Sequence, residues 1–362
     1  MKTTGIIAEY NPFHKGHAYH LQKAKYLTSA DYTIIVMSGP FTQRGLPALT
    51  DKYTRTRMAL ENGADLVLEL PAPYATGSAE AFAQGAISLF EELGCTDALC
   101  FGSESGDLNA LTSYARLFEE EPEDYKNLLK YYLKQGFPFP SARSKASEEY
   151  LHYTDHVCVC SRDDADCRQE SELLEHPNNI LGIEYCRALL SRSSKIRPVT
   201  LRRASSGYHD TSMNGEFASA SAIRKAIAQE DLSESVEAQL PKASFQILKD
   251  AFKTCPPLTM DAFSAALLYR LLTLSRQELA SFQDVSPDLA ARMENNRFRF
   301  TCCSAFADLL KTKELTHSRI TRALCHILLD LHQTDLDSLK ANHWPVYLRT
   351  LGFRKSAAPL LN

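Results

Sequence analysis

The chain has 362 residues, 44% of them apolar and 23% charged, which suits a large core and about two domains. No run of about 18 apolar residues is present, so no helical membrane span is expected, and Glu9 interrupts the short apolar run near the start, so no secretory leader is expected either. A net charge of −4 gives no global attraction to nucleic acid, and ten cysteines without a C-x-x-C spacing fit reduced thiols in the cytoplasm.

In chain order, GIIAEY reads as a strand and HAYHLQKAKYLT as a helix. YTIIVMSG is a β-branched strand, and DKYTRTRMALENG a helix closed by Gly63. DLVLELP is a third strand stopped by Pro71, SAEAFAQGAISLFEELG a helix ending at Gly94, and DALCFGSE a fourth strand. Such alternation predicts βαβ units and a parallel sheet, with ligands held beyond the C-terminal strand ends. A polar helical insertion is expected over about 107–157. NNILGIEYCRALL follows as a helix, IRPVTLRRA as a strand, GYHDTSMNGEFAS as a loop and ASAIRKAIAQ as a helix. After about 231 the alternation stops, and TMDAFSAALLYRLLTL and SRITRALCHILLDL carry helical spacing. The expected division is therefore a catalytic α/β domain over 1–230 and a helical domain over 231–362.

The common nucleotide and hydrolase motifs are absent: no G-x-x-x-x-G-K-[ST], no G-x-G-x-x-G, no H-E-x-x-H and no G-x-S-x-G. The R-x-x-G-x-[GA] turn for coenzyme A is absent too. What remains is NPFHKGH at the end of the first strand. Imidazoles donate to phosphate oxygens, a glycine lets backbone approach them, and a helix start favours an anion. His14 and His17, about one turn apart, would face one ligand. By spacing alone a zinc site, a structural pair and a nucleotide-binding turn stay open. Against zinc, His17 and His20 at i,i+3 give only two ligands, and no nearby cysteine or carboxylate pair completes the set. The position at a strand end favours the nucleotide.

YNPFHKGH resembles the H-x-G-H signature of the nucleotidylyltransferase superfamily. With MSGPFTQRGLPALTDKYTRTRMAL, GADLVLELP, FGSE, PNNILGIEY and LTHSRITRALCHILL in order, nearly the whole chain is similar to the tRNA(Met) cytidine acetate ligase family. That resemblance implies a Rossmann-like parallel sheet and a two-step ligase reaction. ATP and acetate give acetyl-adenylate, and the acetyl group passes to N4 of the wobble cytidine of elongator tRNA(Met), forming N4-acetylcytidine. It also implies His14 and His17 as catalytic, and an ATP-binding strand–loop–helix made of Ile7, Ala8, Glu9, Tyr10, Asn11, Pro12, Phe13, His14, Lys15, Gly16, His17, Ala18, Tyr19 and His20. Gly102, Asn178, Arg203, Ser221 and Arg224 match further ATP contacts, with Ser219 beside them and Asn179 and Arg202 as one-residue alternatives. Mg²⁺ is expected with the ATP, and no protein metal ligand is assigned. The motif departs from the superfamily's F-D-P in having Tyr10-Asn11-Pro12, which fits the ligase branch.

In an acidic chain, RNA contacts must come from local basic clusters. Arg44, Lys52 and Arg55 form one, and Lys311, Lys313, Arg319 and Arg322 another. A small-molecule nucleotidylyltransferase that acts without RNA is the alternative reading. The basic segment TKELTHSRITR favours the RNA-modifying one.

Overall fold

A computed structural model describes residues 1–154, 173–203, 217–230, 232–312 and 315–361. Lys313 and most of the expected loop GYHDTSMNGEFAS lie outside the described residues.

Six strands form one sheet: β1 (Thr3–Ala8), β2 (Tyr32–Ser38), β3 (Leu66–Leu70), β4 (Ala98–Ser103), β5 (Arg197–Arg202) and β6 (Thr350–Phe353). Their order is β5-β4-β1-β2-β3-β6, and the first five are parallel. Continuous apolar composition explains the parallel centre. Six of seven β2 residues and all of β3 are buried, as strands covered on both faces must be. From β1 the chain runs outward through β2 to β3, and then crosses to β4 and β5 on the other side. The switch point therefore falls between β1 and β4, and the crevice beyond their C-terminal ends is where a ligand binds in such sheets.

The helices sit where their sequence signals put them. Asp51 caps Lys52–Glu61 by accepting from the Tyr53 and Thr54 N–H groups at 2.8 and 3.0 Å, and Ser78 caps Ala79–Leu93. The insertion comprises Leu108–Glu120, Glu123–Lys134 and Phe139–Thr154. A separate apolar core forms among the helices Ser264–Thr273, Pro287–Asn296, Cys303–Leu310 and His317–Leu329, around Leu267, Leu271, Phe306 and Leu324.

Two features depart from the sequence reading of the C-terminal part. Val236, Leu240, Ile247 and Leu248 belong to the core beneath the sheet, so the separate helical core starts only near Met260. The chain then returns: β6 pairs antiparallel with β3, while Trp344, Ala357 and Leu360 join the other face's core. A four-residue edge strand has too little periodicity to be read ahead of the structure, because its partner is almost 300 positions away.

The early part of the chain also grips the late helices. Thr321 Oγ1 donates to the Arg44 carbonyl at 2.7 Å, and Phe41 and Leu46 pack on the helical core. Gly45, at φ 70°, lies so close to the helix that an added Cβ would stand 2.5 Å from the Arg322 Cα.

Candidate active site

The turn after β1 is buried and hydrogen-bonded to distant segments. Tyr10 takes a left-handed φ of 46°, the Asn11–Pro12 peptide is cis, and Phe13 is fully buried. The Asn11 side chain accepts from the Leu49 N–H at 2.7 Å, and its carbonyl accepts from Arg224 at 2.7 Å. The turn is thus tied to two other segments, and the side-chain bond to Leu49 is a physical reason for asparagine at this place.

His14 is the N-cap of the helix Lys15–Thr28. Its Nδ1 accepts from the Gly16 N–H at 3.1 Å, while the His17 Nδ1 accepts from the His14 N–H at 3.3 Å. The two histidines thus make a reciprocal capping box, a task usually given to Ser/Thr with Glu/Gln. Their rings stack with centroids 3.7 Å apart, and Tyr10 meets the His17 ring edge-on at 4.9 Å. An Nδ1 that accepts a backbone N–H carries no proton, so in each neutral ring the proton is on Nε2, free to donate to a ligand.

Electrostatics keeps the pair neutral. Burial, then the positive charges of Arg203 and Arg224, lower the His14 pKa to about 3. Burial is also the leading cause that holds His17 well below its usual value and takes His20 down to about 4. His20 Nε2 lies 3.7 Å from the Cys100 Sγ on β4. These rings are donors in a cleft lined by Arg202, Arg203 and Arg224. Gly16 has a second reason to be glycine: a Cβ there would sit 2.9 Å from the His14 ring.

The cleft at the switch point has a volume of about 910 Å³. Of the signature run, Ile7, Ala8, Glu9, Tyr10, Asn11, His14, His17 and His20 line it. Pro12, Phe13, Lys15, Gly16, Ala18 and Tyr19 do not, and support the turn or the helix instead. Gly102, Asn178, Arg202, Arg203, Ser219, Ser221 and Arg224 also line it. The adjacent asparagines differ in surroundings. Asn178 faces the cleft and bonds Glu104 at 2.6 Å, whereas Asn179 is buried and its Oδ1 accepts from the Glu104 and Ser105 N–H groups. Ser219 caps the helix Ala220–Glu230 through the Ala222 N–H, and Arg224 reaches Ser221 at 3.2 Å.

The basic residues divide. Arg44 and Arg322 line the cleft, Arg322 paired with Asp284 at 2.9 Å, and Lys311 and Arg319 are exposed. Lys52 and Arg55 are not available to a nucleic acid. Lys52 Nζ is within 2.7 Å of both Glu69 oxygens. Arg55 is 0% exposed and donates to the carbonyls of Glu9, Ser38, Gly39 and Thr50, clamping the ends of β1 and β2. Charge in a sequence does not reveal such internal partners. The sequence reading also missed Thr42, Gln43 and Tyr185, and the wall formed by residues 257–261 with Ser304. Thr42 and Gln43 follow the end of β2, so the strand-end rule points to them. Nothing in the sequence marks the later wall.

A turn that offers two imidazole donors and a helix start to an anion defines an enzyme that acts on nucleotide phosphates. The family model for HIGH Nucleotidyl Transferase matches residues 1–362. The tRNA(Met) cytidine acetate ligase of Halothermothrix orenii is 41% identical over 363 residues, covering 100% of this chain and 84% of the relative. The protein of the same name from Clostridium perfringens strain SM101 is 41% identical, with 100% and 86% covered. Thermotoga maritima TmcAL, solved with alpha-thio ATP, matches with a TM-score of 0.90 at 33% identity, covering 100% of this chain and 82% of that one. Its apo form matches with a TM-score of 0.92 at 34% identity, with 100% and 83% covered. The chain belongs to the HIGH nucleotidyl transferase family, among the tRNA(Met) cytidine acetate ligases.

Proposed function

We propose that the protein activates acetate with ATP and transfers the acetyl group to N4 of the wobble cytidine of elongator tRNA(Met), giving N4-acetylcytidine. The names of the relatives and the nucleotide in the Thermotoga structure support this reading. The observation that carries it is the stacked His14–His17 pair, neutral and pre-oriented at a helix start.

The triphosphate would lie across that helix start, with the Nε2–H groups of His14 and His17 on the α-phosphate and Arg203 and Arg224 on the outer phosphates. Ser221 would orient Arg224, and Asn178 and Gly102 would contact the nucleoside end. Mg²⁺ would enter with the triphosphate, whose oxygens ligate it. An acetate oxygen attacks the α-phosphorus, the bond to the bridging oxygen breaks, and pyrophosphate leaves. The histidines stabilise charge as it develops on the α-phosphoryl oxygens; pre-oriented donors of this kind are worth about 10²–10³ in rate each. The amine then displaces AMP from the acetyl-adenylate.

The anticodon loop would approach over the helix His317–Leu329, past exposed Arg319 and Lys311. A loop cytidine is already unpaired, so entry costs little unstacking. A tRNA substrate implies the cytoplasm. Among the described residues no helix is long and apolar enough to cross a membrane. The test is incubation with labelled acetate, ATP and tRNA(Met). Label in the wobble cytidine, dependent on ATP, is expected. ATP turnover onto a small acceptor without RNA label would refute the proposal.

A further inference from the structure

The second half-reaction, on the acetate ligase reading above, needs groups that recognise the acceptor amine and take its proton. The neutral histidines have Nδ1 occupied and Nε2 protonated, so they cannot serve as the base. Three carboxylates line the cleft among the described residues. Glu104 is committed at the start of Pro177–Ser191, accepting from the Asn178 side chain at 2.6 Å and the Asn179 N–H at 2.9 Å. Asp261 holds Ser304 through both oxygens at 2.7 Å. Glu9 Oε1 accepts from the Gln43 N–H at 2.8 Å, and its Oε2 makes no hydrogen bond among the described residues.

Tyr185 lines the same cleft, 5% exposed, with its ring edge-on to Phe101 at 5.5 Å. Its hydroxyl has no hydrogen-bond partner among the described residues, although buried tyrosines usually find one. Burial, and after it the negative charge of Glu9, push its pKa up, so the phenol keeps its proton near that carboxylate. One cleft therefore holds an acceptor oxygen and a donor hydroxyl that have no protein partner among the described residues. Cytosine's pairing edge is the complement: an N4 amino donor next to the N3 acceptor. Carboxylates are a natural acceptor for cytosine N4.

We propose that Glu9 and Tyr185 read the acceptor cytosine, the Glu9 carboxylate accepting from N4 and the Tyr185 hydroxyl donating to N3. As N4 attacks the acetyl carbonyl carbon, the N–C bond forms and the N4 proton passes to Glu9. The carbon–oxygen bond to phosphate breaks, AMP leaves with its electron pair, and Glu9 returns the proton to solvent. Uracil would set its O4 lone pairs against the carboxylate and be rejected.

The test separates the two half-reactions. Hydroxylamine, which needs no enzymic base, traps acetyl-adenylate as acetohydroxamate, and single-turnover transfer to tRNA(Met) is followed in parallel. Glu9→Gln keeps an oxygen for the Gln43 N–H. Its transfer should fall about 10²–10⁴-fold further than its hydroxamate formation. Glu9→Asp should recover part of that loss. Tyr185→Phe leaves the ring packing and should slow transfer about tenfold, with hydroxamate formation unchanged. Equal loss of both activities in Glu9→Gln would assign Glu9 to activation and overturn the proposal, as would wild-type transfer in both variants. Failure of the wild type to make hydroxamate or acetylated tRNA would instead refute the ligase reading itself.

Discussion

Replacing Gly16 with alanine should separate catalysis from stability. The new Cβ would lie 2.9 Å from Cε1 and 3.1 Å from Nδ1 of His14, so the ring has to leave its place. Its movement breaks the 3.1 Å bond from the Gly16 N–H and the 3.7 Å stack on His17. Loss of the cap costs about 1 kcal/mol, and alanine's better helix propensity returns up to about 1 kcal/mol, so the melting temperature should hardly change. The rate has no such compensation. One misplaced donor at the developing phosphoryl charge should lower turnover about 10²–10³-fold, or roughly 3–4 kcal/mol. The assay is acetate-dependent ATP–pyrophosphate exchange beside thermal melts. Adding His14→Ala to the variant should cost little more, because both changes remove the same group. Exchange near the wild-type rate in Gly16→Ala, or a full further loss in the double variant, would refute the reasoning.

Arg55→Met should lower stability by roughly 3 kcal/mol or more, because buried carbonyls at the ends of β1 and β2 lose their donor, and the salt dependence of tRNA binding should not move; a changed salt slope with a wild-type melt would give Arg55 back to the RNA. His14 and His20 have pKa values of about 3 and about 4 against 6.5 in a model peptide. Between pH 6.5 and about 4 the unfolded chain binds protons that the folded chain refuses, so stability rises with pH in that window and falls on acidification, by roughly 1.4 kcal/mol per pH unit per histidine at most. Melts of His14→Asn with His20→Asn should show a shallower acid loss, and an unchanged slope would reject the assignment. Lys311→Ala with Arg319→Ala should keep acetate-dependent exchange but weaken tRNA binding and lower its log–log salt slope by up to about two; an unchanged slope would make both residues a solvated face.

Much of the parallel sheet was legible because its strands are continuous apolar runs and its helices carry caps such as Asp51 and Ser78. The signature turn was legible because His14, Gly16 and His17 sit where β1 ends. The mutual capping of the histidines was not, since spacing shows proximity and cannot show which nitrogen meets which N–H. Lys52 and Arg55 misled for a related reason. Their partners, Glu69 and four carbonyls, come together only when the sheet forms. Tyr185 was hidden inside an apolar helical stretch, where one hydroxyl among core residues draws no notice.

Gly45 has a consequence for how the early and late parts of the chain meet. The loop that carries Arg44 and the helix that carries Arg322 touch backbone to backbone there, because no side chain intervenes. The close approach of the two segments thus depends on the absence of a side chain at Gly45. A bulkier residue would act as a spacer between that loop and that helix. One position thus governs how closely the early loop and the late helix meet at the cleft that both line.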